Sequence, residues 1–203
     1  MKYTTLMLCM FSLFIACSAK KSDQLSDYPN MKTIFSEQEL SDLQALLNLF
    51  EQEIGIQPDA SSEAKVARYS MFNKQVLSSM EEGKLDSYPL SNEQKIKLLD
   101  VLHVGTFRSI WSLSSGVRLI EDLKNRPIIS FDPGMSEKFE NLLSELGKEY
   151  PQFIEMHDDY KRAGAISSSF VRALFLDFEQ LNVEDTRVRL VYLICCLQGE
   201  WRN

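Results

Sequence analysis

The densest group of side chains that could do chemistry is the run Glu155, His157, Asp158 and Asp159. A histidine beside carboxylates can hold a metal ion or form an acid–base pair. On one helix, however, His157 would face aromatic neighbours, while Glu155 and Asp159, four positions apart, would look toward water. The pattern therefore favours a half-buried structural histidine. An enzyme centred on His157 with Asp158 or Asp159 is a less favoured alternative, because it requires convergence in a cleft with residues of another helix.

A second pattern is the Ser-x-x-Lys spacing of Ser62 and Lys65, in which a lysine eases deprotonation of a serine nucleophile. The same spacing occurs from Ser18 to Lys21, and no Lys-Thr-Gly follows. Such matches are expected by chance in a chain with this much serine and lysine. Ser62 is better explained as a helix N-cap.

The other histidine and the cysteines near the C-terminus form no recognisable catalytic or metal-binding pattern. His103 lies in line with Leu99 and Phe107 and is expected in the core. Cys195 and Cys196 are neighbours in a predicted helix, where side chains diverge by about 100°, so buried, inert thiols are expected rather than a disulfide. No Gly-rich phosphate loop, Gly-x-Ser-x-Gly, His-Glu-x-x-His or calcium-binding loop is present. We expect neither an enzyme nor a metal or cofactor site.

The first residues have the order of an export signal. Lys2 gives a positive start, Leu6 to Ile15 is apolar apart from Ser12, and Ala16-Cys17 closes the run. The apolar stretch is about half of the roughly 20 residues that a membrane-spanning helix needs. A cleaved signal is therefore expected rather than a permanent transmembrane helix.

The segment Phe14-Ile15-Ala16-Cys17 resembles the lipobox of bacterial lipoprotein signal peptides, although Phe14 stands where that family usually has leucine. The resemblance covers only this segment. It implies cleavage of residues 1–16 and lipid attachment at Cys17, through a thioether-linked diacylglycerol and an amide-linked acyl chain such as palmitate. Two or three chains anchor a protein stably. Ser18 is not the aspartate that retains such lipoproteins at the inner membrane, so the resemblance implies the outer membrane of a two-membrane bacterium, with the leaflet open.

Composition and charge limit the possibilities for the rest of the chain. Residues 17–33 are predicted to be the lipidated cysteine and a flexible tether, because residues 18–33 are polar and can reach at most about 50 Å. Residues 34–203 are expected to form a single domain. The chain of 203 residues has a net charge of −7, and without Lys2 the 21 basic and 29 acidic residues leave −8. That acidity argues against nucleic acid and against the domain itself lying on anionic lipid.

Apolar residues at helical spacing predict an all-α fold, a compact irregular bundle of about six or seven helices. Capping boxes begin at Ser36 and Ser91, and Gly55 and Gly164 mark helix ends. The last helix, about Glu184 to Gln198, is apolar nearly all round and is expected at the centre of the molecule. Helix starts are predicted near residues 36, 62, 91, 136, 151, 167 and 184.

Three further expectations concern the middle and end of the chain. The apolar pattern from Ser91 to Leu123 is long for one helix, so a bend or break is expected near Gly105 or residues 114–116. The extended segment Pro127 to Phe131 is too isolated to predict a sheet. The basic pairs Lys161-Arg162 and Arg187 with Arg189 have acidic neighbours and predict a solvated surface of mixed charge.

These observations favour a non-enzymatic, lipid-anchored helical module that binds a protein or another component of the cell envelope. The alternative is a carrier of a lipid or other apolar ligand, lined by the Phe-rich helices from Phe153 to Phe178. A carrier requires an internal cavity of at least about 300 Å³. Cys17 is the one site residue that the pattern assigns, whereas the ligand-binding residues, the partner and the oligomeric state stay open.

Overall fold

The computed structural model describes residues 23–81, 90–113, 128–132 and 136–202, and helices make up most of these ranges. The predicted all-α fold is confirmed, with nine α-helices in the described ranges rather than six or seven. The added helices are short ones, which a periodic pattern over a long window does not separate. The α-helices are α1 Pro29–Ile34, α2 Glu37–Glu53, α3 Ser62–Glu81, α4 Asn92–Leu99, α5 Val104–Ile110, α6 Glu137–Gly147, α7 Gln152–Ala163, α8 Ser168–Leu176 and α9 Thr186–Leu197.

Local capping interactions fix the ends of helices α2 and α7. Ser36 and Glu39 form the predicted capping box of α2, in which the Ser36 amide donates to the Glu39 carboxylate at 2.8 Å. After α2, Gly55 adopts a φ of 87°, a left-handed conformation that favours glycine. Gly164 ends α7 in the same way, with a φ of 69°. The sequence signals for these boundaries are confirmed.

The long apolar pattern from residue 91 is divided between two helices. The predicted capping box at Ser91 begins α4, and the chain leaves the helix at residues 100–103 before α5 begins. The expected break is therefore present, but Gly105 is not its site, because that residue lies inside α5. Residues 114–123, which the prediction included, lie outside the described residues.

A small antiparallel sheet accompanies the helices, with strands β1 Ser112–Leu113, β2 Ile128–Asp132 and β3 Gly199–Arg202 in that order. Ile128 pairs with Arg202, and Ser112 pairs with Asp132. This corrects the expectation that the extended segment at residues 127–131 is too isolated to pair. Its partner β3 is distant along the chain, so a search for neighbouring strands could not find it.

The C-terminal helix α9 lies at the centre of the molecule, as predicted, and all of its residues are buried. Aromatic rings surround Tyr192, which meets Phe175 at 5.2 Å and Phe178 at 5.6 Å between ring centroids. The Tyr192 hydroxyl donates to Asn73 Oδ1 at 3.1 Å. Edge-to-face pairs of this kind stabilise an aromatic core. The carrier alternative needs Phe175 and Phe178 to line a cavity. In the structure, both rings pack against Tyr192 in the core instead.

The segment from Asp23 to Ile34 belongs to the domain and is not a flexible tether. It forms a 3₁₀ turn, Leu25–Asp27, followed by α1, and both Leu25 and Met31 have no exposed surface. The Leu25 amide donates to Gln44 Oε1 at 2.8 Å. The predicted tether at residues 18–33 and the domain start at 34 are therefore corrected from Asp23 onward. The local sequence is largely polar, and the residues that bury Leu25 and Met31 lie elsewhere in the chain.

Candidate functional site

The segment from Asp23 to Ile34, which we call the N-terminal segment, is joined to the centre of the molecule by four charged side chains. We call this group the clamp: Asp23, Glu51, Lys65 and Arg189. Arg189 Nη2 donates to Asp23 Oδ1 at 2.7 Å, and Lys65 Nζ donates to Asp23 Oδ2 at 2.8 Å. Arg189 Nε lies 3.3 Å from Glu51 Oε1, and Lys65 Nζ lies 3.7 Å from Glu51 Oε2. Both cations therefore share both carboxylates.

The two cations of the clamp are buried, whereas one of its carboxylates reaches solvent. The side chains of Arg189 and Lys65 are 2% and 9% exposed, and that of Asp23 is 52% exposed. A buried cation is tolerated when its charge is paired and its hydrogen bonds are made. Thr186 Oγ1 accepts a further bond from Arg189 at 2.9 Å, and the Tyr69 hydroxyl donates to Glu51 at 3.2 Å. The clamp is thus an ion network whose outer member is Asp23, and within it Arg189 Nε is paired in charge with Glu51 but makes no hydrogen bond.

The titration of Asp23 is set by its two cationic partners. Partial burial acts to raise its pKa, but the hydrogen bonds and charges of Lys65 and Arg189 outweigh burial and lower the pKa below the ordinary value. Burial acts to lower the pKa of Arg189, and the negative charges of Glu51 and Asp23 outweigh burial and raise it. Both groups are therefore charged at neutral pH.

The clamp forms the floor of a polar cleft of about 190 Å³. Amide side chains surround the charged groups, among them Gln24, Gln44, Asn48 and Gln52. The cleft continues into a larger groove of about 750 Å³, because Gln24, Gln44 and Asn48 line both. One surface feature therefore extends from the clamp along the outer face of α2.

We call the larger cavity the α2 groove; α2 forms one wall and the N-terminal segment forms the other. The polar lining is hydroxyl and amide groups: Gln24, Ser26, Ser36, Ser41, Gln44 and Asn48. Ser41, Gln44 and Asn48 recur at three- and four-residue steps and so share one face of the helix. Lys32 and Glu37 add one charge of each sign, and Phe35 and Leu40 contribute apolar surface. Such a lining can exchange hydrogen bonds with a polar ligand of no net charge.

Arg187 forms a second buried ion cluster, on α9 and away from the clamp. Its guanidinium donates to Glu149 at 2.9 and 2.8 Å and to Asp185 at 3.0 and 2.6 Å. It also lies 4.5 Å from the centre of the Tyr28 ring. The hydrogen bonds to these carboxylates raise the pKa of Arg187 despite its burial, which alone would lower it. The prediction that Arg187 and Arg189 form a solvated surface is therefore wrong, whereas Lys161 and Arg162 are exposed as expected.

The burial of these two arginines has a signal in the sequence that the charge pattern alone does not use. Both stand in the stretch predicted to be the central, apolar helix. A charged residue in a helix that is buried on all sides must have a partner of opposite charge. That rule predicts buried ion pairs for Arg187 and Arg189, but it does not say which carboxylates supply them.

His103 lies on the surface and not in the core, which corrects its predicted position. Its side chain is 68% exposed, and its Nδ1 lies 2.9 Å from Oδ1 of the buried Asp42. The expected alignment with Leu99 and Phe107 fails because residues 100–103 leave the helix, and His103 precedes α5. Asp42 also accepts bonds from the His103 amide at 3.1 Å and from Thr106 at 2.5 Å. The carboxylate therefore secures the start of α5 to α2.

The acidic group around His157 is spread over the surface of α7. His157 is half-buried, as predicted, and lies 3.6 Å from Glu140 of α6 and 3.6 Å from Asp158. The side chain of Asp158 is 73% exposed, and Asp159 pairs with Arg162. The described side chains do not converge in the manner that an acid–base centre requires. No group of three or more histidine, cysteine or acidic residues suited to a metal ion occurs in the described ranges.

The remaining candidate residues have structural surroundings. Ser61, not Ser62, caps α3, because its hydroxyl accepts from the Ala64 amide at 3.3 Å, and Ser62 is the first residue of the helix. Lys65 belongs to the clamp. Cys195 and Cys196 are free and buried, and burial raises the pKa of both thiols. Cys17 lies outside the described residues, and no described helix is long and apolar enough to cross a membrane.

The chain has no match among models of known protein families, curated proteins or solved structures.

Proposed function

We propose that this chain is a lipid-anchored protein of the bacterial cell envelope, most simply of the outer membrane, whose helical domain binds a polar envelope component in the α2 groove. One observation carries the proposal: a groove of about 750 Å³ lies along the segment that comes a few residues after Cys17. The signal pattern at residues 1–17 supports the anchor, and the hydroxyl and amide groups of the lining support a ligand that forms hydrogen bonds.

The anchor is tested by metabolic labelling with an alkyne fatty acid. The full chain is expressed in a two-membrane bacterium, and label on the mature protein is compared with label on Cys17→Ala. We expect label on the wild-type chain and none on the variant. An unlabelled wild-type chain, or one with Met1 still present by mass spectrometry, would contradict the anchor.

The groove is tested by filling it with a large side chain. Ala45 lines the groove on an exposed face of α2, so Ala45→Trp is expected to remove binding of fractionated envelope material to the immobilised domain. Ala173→Trp is the matched control, since Ala173 is also an exposed helical alanine and does not line the groove. The immobilised domain must retain Asp23, because the clamp and Leu25 belong to the folded unit. Equal binding by both variants would place the ligand elsewhere.

A further inference from the structure

We propose that the α2 groove is held against the headgroup layer of the membrane that carries the anchor, and that its occupant there is a zwitterionic lipid headgroup. This inference rests on the proposed lipid attachment at Cys17. It adds an orientation of the domain, which depends on the position of the clamp in the chain, and a class of ligand, which depends on the side chains that line the groove.

The chain between the anchor and the clamp is short. Asp23 is fixed to Arg189 and Lys65, so only residues 17–22 separate the lipid from the folded domain. Six residues extend to about 20 Å at most. The predicted tether of residues 18–33 would have reached more than twice as far. The packing of Leu25 and Met31, neither of which has exposed surface, keeps the rest of this segment in place.

The domain is wider than that reach. A compact domain of about 180 residues has a radius of gyration near 16 Å and hence a diameter of about 40 Å. Orientations that place Asp23 on the side away from the bilayer need a linker of about 40 Å and are excluded. The hemisphere that carries Asp23 therefore faces the membrane.

The groove lies in the same hemisphere as Asp23. Gln24 is adjacent to Asp23 in the chain and lines both the cleft and the groove, and Ser26 lines the groove as well. The groove thus begins one residue from the clamped position. The end of the groove at Gln24 is therefore held near the bilayer with Asp23 while the clamp is closed.

The side chains of the groove match a zwitterionic occupant. The domain from Asp23 onward is acidic: without Lys2, Lys20 and Lys21 it has 19 basic and 29 acidic residues, a net charge of −10, so anionic lipid is unfavourable for it. The groove offers hydroxyl and amide groups together with Lys32 and Glu37. One positive and one negative side chain match the phosphate and ammonium of a zwitterionic headgroup. Neutral hydrogen-bonding groups between them suit its ester oxygens.

The orientation is tested by energy transfer on the full, acylated chain in vesicles of phosphatidylcholine that carry an acceptor dye on the headgroup. A donor dye is attached to Ser41→Cys in the groove, or to Asp158→Cys on α7, which packs on α6 and α8 rather than on the N-terminal segment. We expect roughly twofold higher transfer from position 41. Equal transfer, or higher transfer from position 158, would overturn the orientation.

Two further measurements test whether linker length sets the orientation and whether the occupant of the groove is zwitterionic. Thirty Gly/Ser residues inserted between Ser22 and Asp23 raise the typical reach to about 30 Å or more, so the difference between the two positions is expected to disappear. A difference that persists would show that linker length does not set the orientation. The occupant is tested with the donor at position 158, which leaves the groove free. Replacing about a third of the lipid by phosphatidylglycerol is expected to raise transfer from position 158, because a domain that loses its headgroup contact samples more orientations. Unchanged or lower transfer would overturn the assignment of a zwitterionic occupant.

Failure of the anchor is distinguishable from failure of the orientation. A chain without lipid does not remain with the vesicles in flotation. That result would contradict both the proposed anchor and the proposed orientation. A chain that floats with the vesicles and gives equal transfer keeps the anchor and contradicts only the orientation.

Discussion

Asp23 and Arg189 are 166 positions apart in the chain, and their side chains meet at 2.7 Å. This contact joins the segment from Asp23 to Ile34 to the central helix α9. It makes this segment part of the domain, and, for the proposed lipid attachment at Cys17, it limits the distance between the domain and the bilayer. In the proposed arrangement, the stability of the clamp is therefore linked to the orientation of the domain on the membrane.

Asp23→Asn is predicted to lower the free energy of unfolding by about 1–2 kcal/mol at pH 7. This value lies between the cost of breaking a buried ion pair and that of breaking an exposed pair, because Asp23 is half-exposed while both of its partners are buried. Urea unfolding followed by circular dichroism measures the change. Asp59→Asn, an exposed site, is the matched control and is expected to stay within about 0.5 kcal/mol of wild type.

The effect of Asp23→Asn is also predicted to depend on pH. The folded pKa of Asp23 is lowered, so its contribution is fully present above the unfolded pKa and is lost as pH falls through the folded pKa. The difference between wild type and Asp23→Asn is therefore expected to shrink as the pH falls through the lowered pKa of Asp23 and the wild-type carboxylate becomes protonated. A difference that is constant from pH 7 to pH 2 would mean that the charge of Asp23 does not hold the clamp.

Arg187→Ala is predicted to destabilise the protein by about 3 kcal/mol or more, because it leaves the buried Asp185 carboxylate without its cation. Arg187→Lys keeps the charge but cannot make the paired hydrogen bonds, so an intermediate loss is expected. Arg172→Ala is the control, since Arg172 is exposed. Thermal or urea unfolding of the three variants ranks them. Equal stability of Arg187→Ala and Arg172→Ala would contradict a structural role for the cluster.

Local patterns predict the helices well because helix boundaries depend on neighbouring residues. The boxes at Ser36 and Ser91 and the stop at Gly55 require only side chains within one turn, and the structure confirms each. The apolar pattern of the last helix likewise predicts its burial. These features depend on chemistry that one stretch of sequence contains.

The features that local patterns do not predict depend on partners far along the chain. The Asp23–Arg189 and Asp42–His103 contacts join residues whose separation no periodicity encodes. The polar sequence around Leu25 indicates a tether because the burial of that residue depends on other parts of the fold. The candidate site is made of such contacts, so sequence patterns assign other roles to its members Lys65 and Arg189 and do not locate the groove.

Stability is predicted to fall as pH decreases from 5 to 2, in part through Asp42. Burial acts to raise the pKa of Asp42, but hydrogen bonds from Thr106, His103 and Gln38 outweigh burial and lower the pKa. Because the folded pKa is depressed, the stabilisation is present above the unfolded pKa and is lost as pH falls through the folded pKa. Asp42→Asn is expected to cost about 1–2 kcal/mol at pH 7 and to flatten the decline.

The pH profile of Asp42→Asn is measured by urea unfolding at intervals between pH 7 and pH 2. Glu155→Gln removes an acid from an exposed position of α7 and is expected to reproduce the wild-type profile. A profile for Asp42→Asn parallel to that of wild type would show that the carboxylate does not titrate with folding.

Cys195 and Cys196 are predicted to be unreactive in the folded protein. Both side chains have no exposed surface, and burial raises the pKa of each thiol, so little thiolate is present at neutral pH. In a chain that begins after Cys17, a thiol reagent at pH 8 is expected to modify neither cysteine under native conditions and both in denaturant. Ser41→Cys is the positive control, because position 41 is exposed and its thiol is expected to react at once in the folded state. Rapid modification of the wild-type chain under native conditions would show that α9 opens to solvent, and its burial at the centre of the molecule would then not hold in solution.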